Sequence, residues 1–153
     1  MKDYILKDIN LANEGKQRIE WARRHMPVLA KIKEQFENEK PLDGINVVAC
    51  LHVTVETANL IYTLKAGGAN IALAASNPLS TQDDVAAALA TDGIKTYAIK
   101  GENEKQYYEC LEEALKIGPH VTLDDGADTI ALVHSKHPNL IKNIKGGCEE
   151  TTT

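Results

Sequence analysis

The stretch Cys50-Leu51-His52-Val53-Thr54-Val55-Glu56-Thr57-Ala58 places three functional side chains where an apolar run gives way to an amphipathic one. The residues before it, Ile45 to Cys50, predict a short buried strand, and the helix that follows must begin near Thr54. In a parallel sheet that junction is the carboxyl edge, where open α/β folds bind ligands. His52, Thr54 and Glu56 are therefore read as parts of a site rather than as one face of an element.

From residue 44 onward the chain alternates between short apolar runs and longer amphipathic ones. Strands are expected at Ile45 to Cys50, Asn70 to Ala75, Thr96 to Ile99 and His120 to Leu123. Helices are expected at Thr54 to Lys65, Thr81 to Ala90, Glu104 to Ile117 and Asp128 to Lys136, with Gly67-Gly68, Asp92-Gly93 and Gly118-Pro119 as stop signals. This alternation implies an α/β fold: a three-layer, Rossmann-like parallel sheet with helices on both faces and right-handed crossovers. Upstream, the apolar spacing of Ile9, Leu11, Ala12, Ile19, Ala22 and Met26, a break at Pro27, and the series Val28, Leu29, Ile32 and Phe36 predict two N-terminal helices before the first strand.

Polar clusters recur after each strand and before each helix. They are His52-Val53-Thr54, Ser76-Asn77-Pro78-Leu79-Ser80-Thr81-Gln82-Asp83, Lys100-Gly101-Glu102 and Asp124-Asp125-Gly126-Ala127-Asp128. Several loops should thus converge on one edge, as a ligand crevice in a doubly wound sheet requires.

The chain has 153 residues, 43% of them hydrophobic and 25% charged, the balance of a single folded domain. Net charge is −5 and the basic residues are scattered, which argues against nucleic-acid and anionic-membrane partners. No apolar run approaches the roughly 18 residues needed to span a bilayer, and Met1-Lys2-Asp3-Tyr4 lacks a signal-peptide core, so a cytoplasmic location is expected. Cys50, Cys110 and Cys148 are far apart and odd in number, which suits reduced, unpaired thiols.

His52 can serve as a general acid or base, because an imidazole titrates near neutrality and can both take and return a proton; it can also be a hydrogen-bonded histidine at a strand end. The adjacent acids Asp124 and Asp125 open a helix, so Asp125 either caps that helix or projects its carboxylate toward His52. The spacings His52/Glu56 and His134/His137 raise the question of a metal, but the second pair lies at the far end of its helix and no cysteine joins either pair; no metal is expected. His134 and His137 are read instead as cations near a helix C-terminus. No Gly-x-Gly-x-x-Gly or Walker A loop is present, and Ser80 lacks the elbow motif of a nucleophilic serine.

The Cys50 to Ala58 and Asn77 to Asp83 stretches, together with Asp124-Asp125-Gly126-Ala127-Asp128 and Gly146-Gly147-Cys148-Glu149-Glu150-Thr151-Thr152-Thr153, strongly resemble the S-adenosylhomocysteine hydrolase (adenosylhomocysteinase) family from about Asp8 to Thr153. The resemblance implies an enzyme that reversibly splits S-adenosyl-L-homocysteine into adenosine and L-homocysteine. A bound NAD transiently oxidises the ribose 3′ hydroxyl, homocysteine is eliminated, water adds, and the cofactor returns the electrons. It implies His52 as the acid/base group near the 5′ carbon and Asp125 as its assistant on the ribose side. It also implies Thr54 and Glu56 at the adenine, Glu150 at the ribose hydroxyls, and Thr151, Thr152 and Thr153 near the nicotinamide. Ser76 stands where many relatives carry cysteine. On this reading residues 1–153 are a substrate-binding domain that stops within a motif. The NAD-binding Rossmann domain is then expected beyond 153, with assembly of the full-length protein as a homotetramer. The alternative is a free-standing, non-catalytic nucleoside or metabolite-binding module.

Overall fold

The computed structural model describes residues 3–150. The chain begins with the two-residue strand β1 (Tyr4–Ile5) and a single 3-10 turn at Ile9–Leu11, whose start is capped by the Asp8 carboxylate. Helices α1 (Ala12–Arg23) and α2 (Pro27–Glu39) follow. Pro27 stands at the first position of α2, where its missing N–H costs nothing, and Lys40 ends that helix in the left-handed region at φ 48°. The β/α series is then β2 (Asn46–Leu51), α3 (Val55–Ala66), β3 (Asn70–Ala75), α4 (Asp83–Thr91), β4 (Lys95–Tyr97), α5 (Glu104–Leu115), β5 (Val121–Asp124) and α6 (Asp128–Lys136). A 3-10 segment at Pro138–Asn143 leads to β6 (Gly146–Glu149).

All six strands run parallel in one sheet, in the order β1-β4-β3-β2-β5-β6. Alternation along β2 builds two cores. Val47, Ala49 and Leu51 face α1, α3 and α4, packing with Ile19, Ala58, Ile61, Val85 and Leu89. Val48 and Cys50 face α5 and α6, against Leu111, Ala114, Leu132 and Val133. The result is the expected three-layer α/β arrangement. The chain steps from β2 to β3 and β4 in one direction, then crosses to β5 on the other side of β2. The β2/β5 junction is thus the topological switch point, where the connections leaving the two strands diverge and leave a crevice.

Two readings of the sequence need correction. A strand precedes the N-terminal helices: β1 pairs with β4 through Tyr4 and Ile5. Two residues are too few to show a period of two, so the segment had no signature. Several boundaries also move by one to three residues. Helix α4 starts at Asp83 rather than Thr81, because Gln82 is extended and its N–H donates to Val53 O at 3.0 Å, tying the loop to the end of β2. Helix α5 is closed at its start by a capping box between Asn103 and Gln106, and it stops at Leu115 ahead of Gly118, whose φ is +70°.

Candidate functional site at the switch point

The ladder hydrogen bonds continue past the last paired residues and set the site. Ser76 N–H donates to Leu51 O at 3.1 Å, and Asp125 N–H donates to Cys50 O at 3.0 Å. The residue leaving β3 and the residue leaving β5 therefore flank His52, which leaves β2 between them. His52 Nε2 lies 2.8 Å from Asp125 Oδ2. The other ring nitrogen, Nδ1, lies 2.5 Å from Ser80 Oγ, and Ser76 Oγ donates to Asp125 Oδ2 at 3.3 Å. Asp125 is almost enclosed, its side chain 8% exposed, whereas the His52 side chain is 43% exposed. An imidazole with one nitrogen on a sheltered carboxylate and the other on a hydroxyl is arranged to take up and release a proton.

The two adjacent acids divide the roles that the sequence left open. Asp124 is the cap: its carboxylate accepts from Thr129 N–H at 3.1 Å and Ile130 N–H at 3.2 Å, satisfying two orphan donors of α6. Burial pushes its carboxyl above the usual range against these stabilising bonds. Asp125, the next residue, meets His52.

Thr54 is the N-cap of α3, with Oγ1 accepting from Thr57 N–H at 3.4 Å, and Glu56 lies exposed in the first turn of that helix. Glu150 is held beside β5 by its N–H, which donates to Asp124 O at 2.7 Å. Glu56 and Glu150 share a hollow of about 530 Å³, walled by Met26, Pro27, Leu29, Ile32 and Leu60. A second hollow, of about 500 Å³, lies among α1, α2 and α3 and contains none of the predicted site residues. Thr151, Thr152 and Thr153 lie outside the described residues.

The sequence reading missed Ser80 as a partner of His52, having set it aside for lack of a nucleophile motif. Its signal was topological: β3 neighbours β2, so the polar stretch after β3 must border His52. Glu149 was also missed. Its carboxylate accepts from Gly126 N–H at 2.5 Å and Ala127 N–H at 3.2 Å, closing the β5–α6 turn. Ala127 sits at φ 59°, in the left-handed region, within that clamped turn.

A dinucleotide does not fit the described residues. The amides of the Gly126 turn already hold a carboxylate, amid Asp124, Asp125 and Asp128, and the Gly101 N–H donates to Pro78 O. No free N–H cradle is left there for a pyrophosphate. Among the described residues there is no group of three His, Cys, Asp or Glu able to hold a metal, and no helix long and apolar enough to cross a membrane. Burial pushes the Cys50 thiol up to about 12, so it is not a thiolate nucleophile, and Cys50, Cys110 and Cys148 form no disulfide among the described residues. His137, read as a helix-end cation, lies with Nε2 2.6 Å from Glu112 Oε2.

Fold and site together define a three-layer α/β domain with a histidine–carboxylate pair at the switch point of its parallel sheet. Comparison with known proteins makes the class specific. The S-adenosyl-L-homocysteine hydrolase family profile matches residues 3–153, and the chain belongs to that family. It is 60% identical to the adenosylhomocysteinase of Sulfolobus acidocaldarius and 54% identical to that of Pyrococcus abyssi, each over 99% of this chain. It is also 52% identical, over 98% of its length, to the S-inosyl-L-homocysteine hydrolase of Methanocaldococcus jannaschii. The chain spans 36% of the length of each of these relatives.

Proposed function

We propose that the protein acts in the reversible hydrolysis of S-adenosyl-L-homocysteine to adenosine and L-homocysteine, and that this chain forms the substrate side of the site. The observation that carries the reading is the His52–Asp125 pair at the switch point, 2.8 Å apart. His52 is the source of the proton that reaches the departing homocysteine sulfur and the destination of one lost by the water that replaces it. Asp125 holds the ring in place and balances its positive charge when both nitrogens are protonated. Thr54 and Glu56 meet the purine, the Glu56 carboxylate accepting from an exocyclic amino group, and Glu150 bonds the ribose hydroxyls. The hollow shared by Glu56 and Glu150, with its apolar wall, suits a base and sugar side by side.

NAD, the cofactor that the family resemblance implies, is proposed to be held by Thr151, Thr152 and Thr153 and by the Rossmann domain expected in the part of the family's length that this chain does not span. The proposal extends to a cytoplasmic homotetramer.

The test is release of free thiol from S-adenosylhomocysteine by the full-length gene product, with bound NAD counted after denaturation. Thiol release that is lost in His52→Asn supports the reading. Tight adenosine binding without any thiol release would make the protein a nucleoside-binding module.

Because relatives acting on either purine are similar to this chain, the base is a separate question. An acceptor at Glu56 pairs with the amino group of adenine and opposes the carbonyl of hypoxanthine, so adenosine is proposed as the nucleoside.

A further inference from the structure

Both ring nitrogens of His52 are occupied by protein groups. Nε2 faces Asp125 Oδ2 at 2.8 Å and Nδ1 faces Ser80 Oγ at 2.5 Å. A proton that leaves or reaches the imidazole must therefore pass one of these partners. Asp125 is sheltered, whereas Ser80 is half-buried on the connection from β3 to α4. A carboxylate can only accept, so Nε2 keeps its proton toward Asp125, and Nδ1 is the nitrogen that changes state. Ser80 also has a second partner, the Asn77 carbonyl, 3.2 Å from Oγ.

We propose that Ser80 is the hydroxyl through which His52 exchanges its proton, with the Asn77 carbonyl as its resting acceptor. The inference rests on the acid/base role of His52 proposed above. With the ring doubly protonated, Nδ1–H donates to Ser80 Oγ and the serine hydrogen points to Asn77 O. When a leaving sulfur replaces that carbonyl, the serine proton passes to sulfur and the Nδ1 proton passes to Ser80 Oγ. The ring is left neutral, accepting the serine hydrogen at Nδ1 and still donating from Nε2 to Asp125. Water addition runs the same transfers backward: water gives its proton to Ser80 as the serine proton returns to Nδ1. Charge at this edge comes from Asp125, Asp124 and Asp128 after β5, Glu149 and Glu150 at β6, Glu56 on α3, and Asp83 and Asp84 opening α4, the last two paired with Lys7 and Arg18.

The experiment has two arms. In the 153-residue chain with 15N-labelled histidine, the His52 nitrogens are assigned by their loss in His52→Asn. Across the imidazole titration Nδ1 is expected to change between bare and protonated while Nε2 keeps its proton. Ser80→Ala should move the bare Nδ1 signal toward that of an unbonded nitrogen, and Ser80→Thr should restore it. A neutral ring with bare Nε2, or a Nδ1 signal indifferent to Ser80→Ala, would overturn the proposal. In the full-length gene product, Ser80→Ala should lower kcat for thiol release roughly 100-fold, at the low end of proton-transfer effects, with KM within about twofold. Ser80→Thr should recover most of it. A kcat within about twofold of wild type in Ser80→Ala, while His52→Asn is inactive, would overturn the relay but leave the function standing. Unchanged turnover in His52→Asn would instead overturn the function, and the nitrogen signals would still decide the Ser80 link.

Discussion

His52 Nε2 and Asp125 Oδ2 lie 2.8 Å apart although they leave different strands, β2 and β5, and the contact exists because those strands pair in register with Cys50 opposite Asp124. Each residue is the first beyond its strand, so the sheet itself sets their separation. A site built on adjacent strand ends is more rigid than one built on long loops. Asp125→Asn keeps the shape but removes the charge facing the ring, and His52→Asn removes the proton carrier. Each is expected to lower kcat for S-adenosylhomocysteine hydrolysis by about 10²–10⁴-fold, with urea midpoints close to wild type. Steady-state kinetics beside equilibrium unfolding checks both halves.

The neighbouring acid predicts the opposite pattern. Asp124 holds Thr129 N–H and Ile130 N–H, so Asp124→Ala orphans two donors at the start of α6. The expected loss is about 1–2 kcal/mol in urea unfolding, the ordinary cost of a lost cap. A variant of Asp124 that lost activity with no loss of stability would contradict this division of labour.

Gly15 is the fourth residue of α1, inside the helix, where a glycine is intrinsically unfavourable. Packing explains it: a Cβ there would meet the carbonyl oxygen of Asp84 at 2.0 Å, in the first turn of α4. Backbone cannot yield as a flexible side chain does. Gly15→Ala should therefore destabilise by about 1–3 kcal/mol through overpacking, despite the better helix propensity of alanine. A Gly15→Ala variant as stable as wild type in thermal and urea unfolding would show that α1 can slide on α4.

Glu102 is 6% exposed, and its Oε1 has no hydrogen-bond partner among the described residues, while Oε2 accepts from Cys110 Sγ at 3.5 Å. Burial raises its carboxyl above the usual range. A raised folded-state value means that the ionised form costs stability, so this residue's contribution is greatest below the unfolded carboxylate value and falls as pH rises through the folded one. Glu102→Gln fixes a neutral side chain. It should stabilise the protein at pH 7, a gain that shrinks as acid protonates the wild-type residue. Urea unfolding of both proteins at several pH values measures the convergence.

The alternation of apolar runs with amphipathic ones made the layers legible, since β3 and α6 fall on the residues read from the sequence. His52 was visible because it leaves an apolar strand, and Asp125 because it follows another. Which of Asp124 and Asp125 would cap could not be read, because both acids stand at the same junction and only the strand register separates them. Ser80 was hidden for a related reason. A hydroxyl in a loop has no periodicity, and its place beside His52 follows from β3 pairing with β2, a long-range fact. Strand β1 left no pattern at all.

The base preference gives the last test. Glu56 lies exposed at the start of α3, next to the hollow it shares with Glu150. A carboxylate accepts but cannot donate, so it suits the amino group of adenine and leaves the carbonyl of hypoxanthine facing a like charge. An unmatched polar group that the bound base buries costs about 1–3 kcal/mol, or roughly 10–100-fold in affinity. Adenosine should therefore bind the full-length protein more tightly than inosine by about that factor. Glu56→Gln brings both an acceptor and a donor, and it should narrow the gap by improving inosine. Competition binding with the two nucleosides reads the ratio directly, and an inosine preference in the wild type would move the protein to the inosyl branch of its relatives.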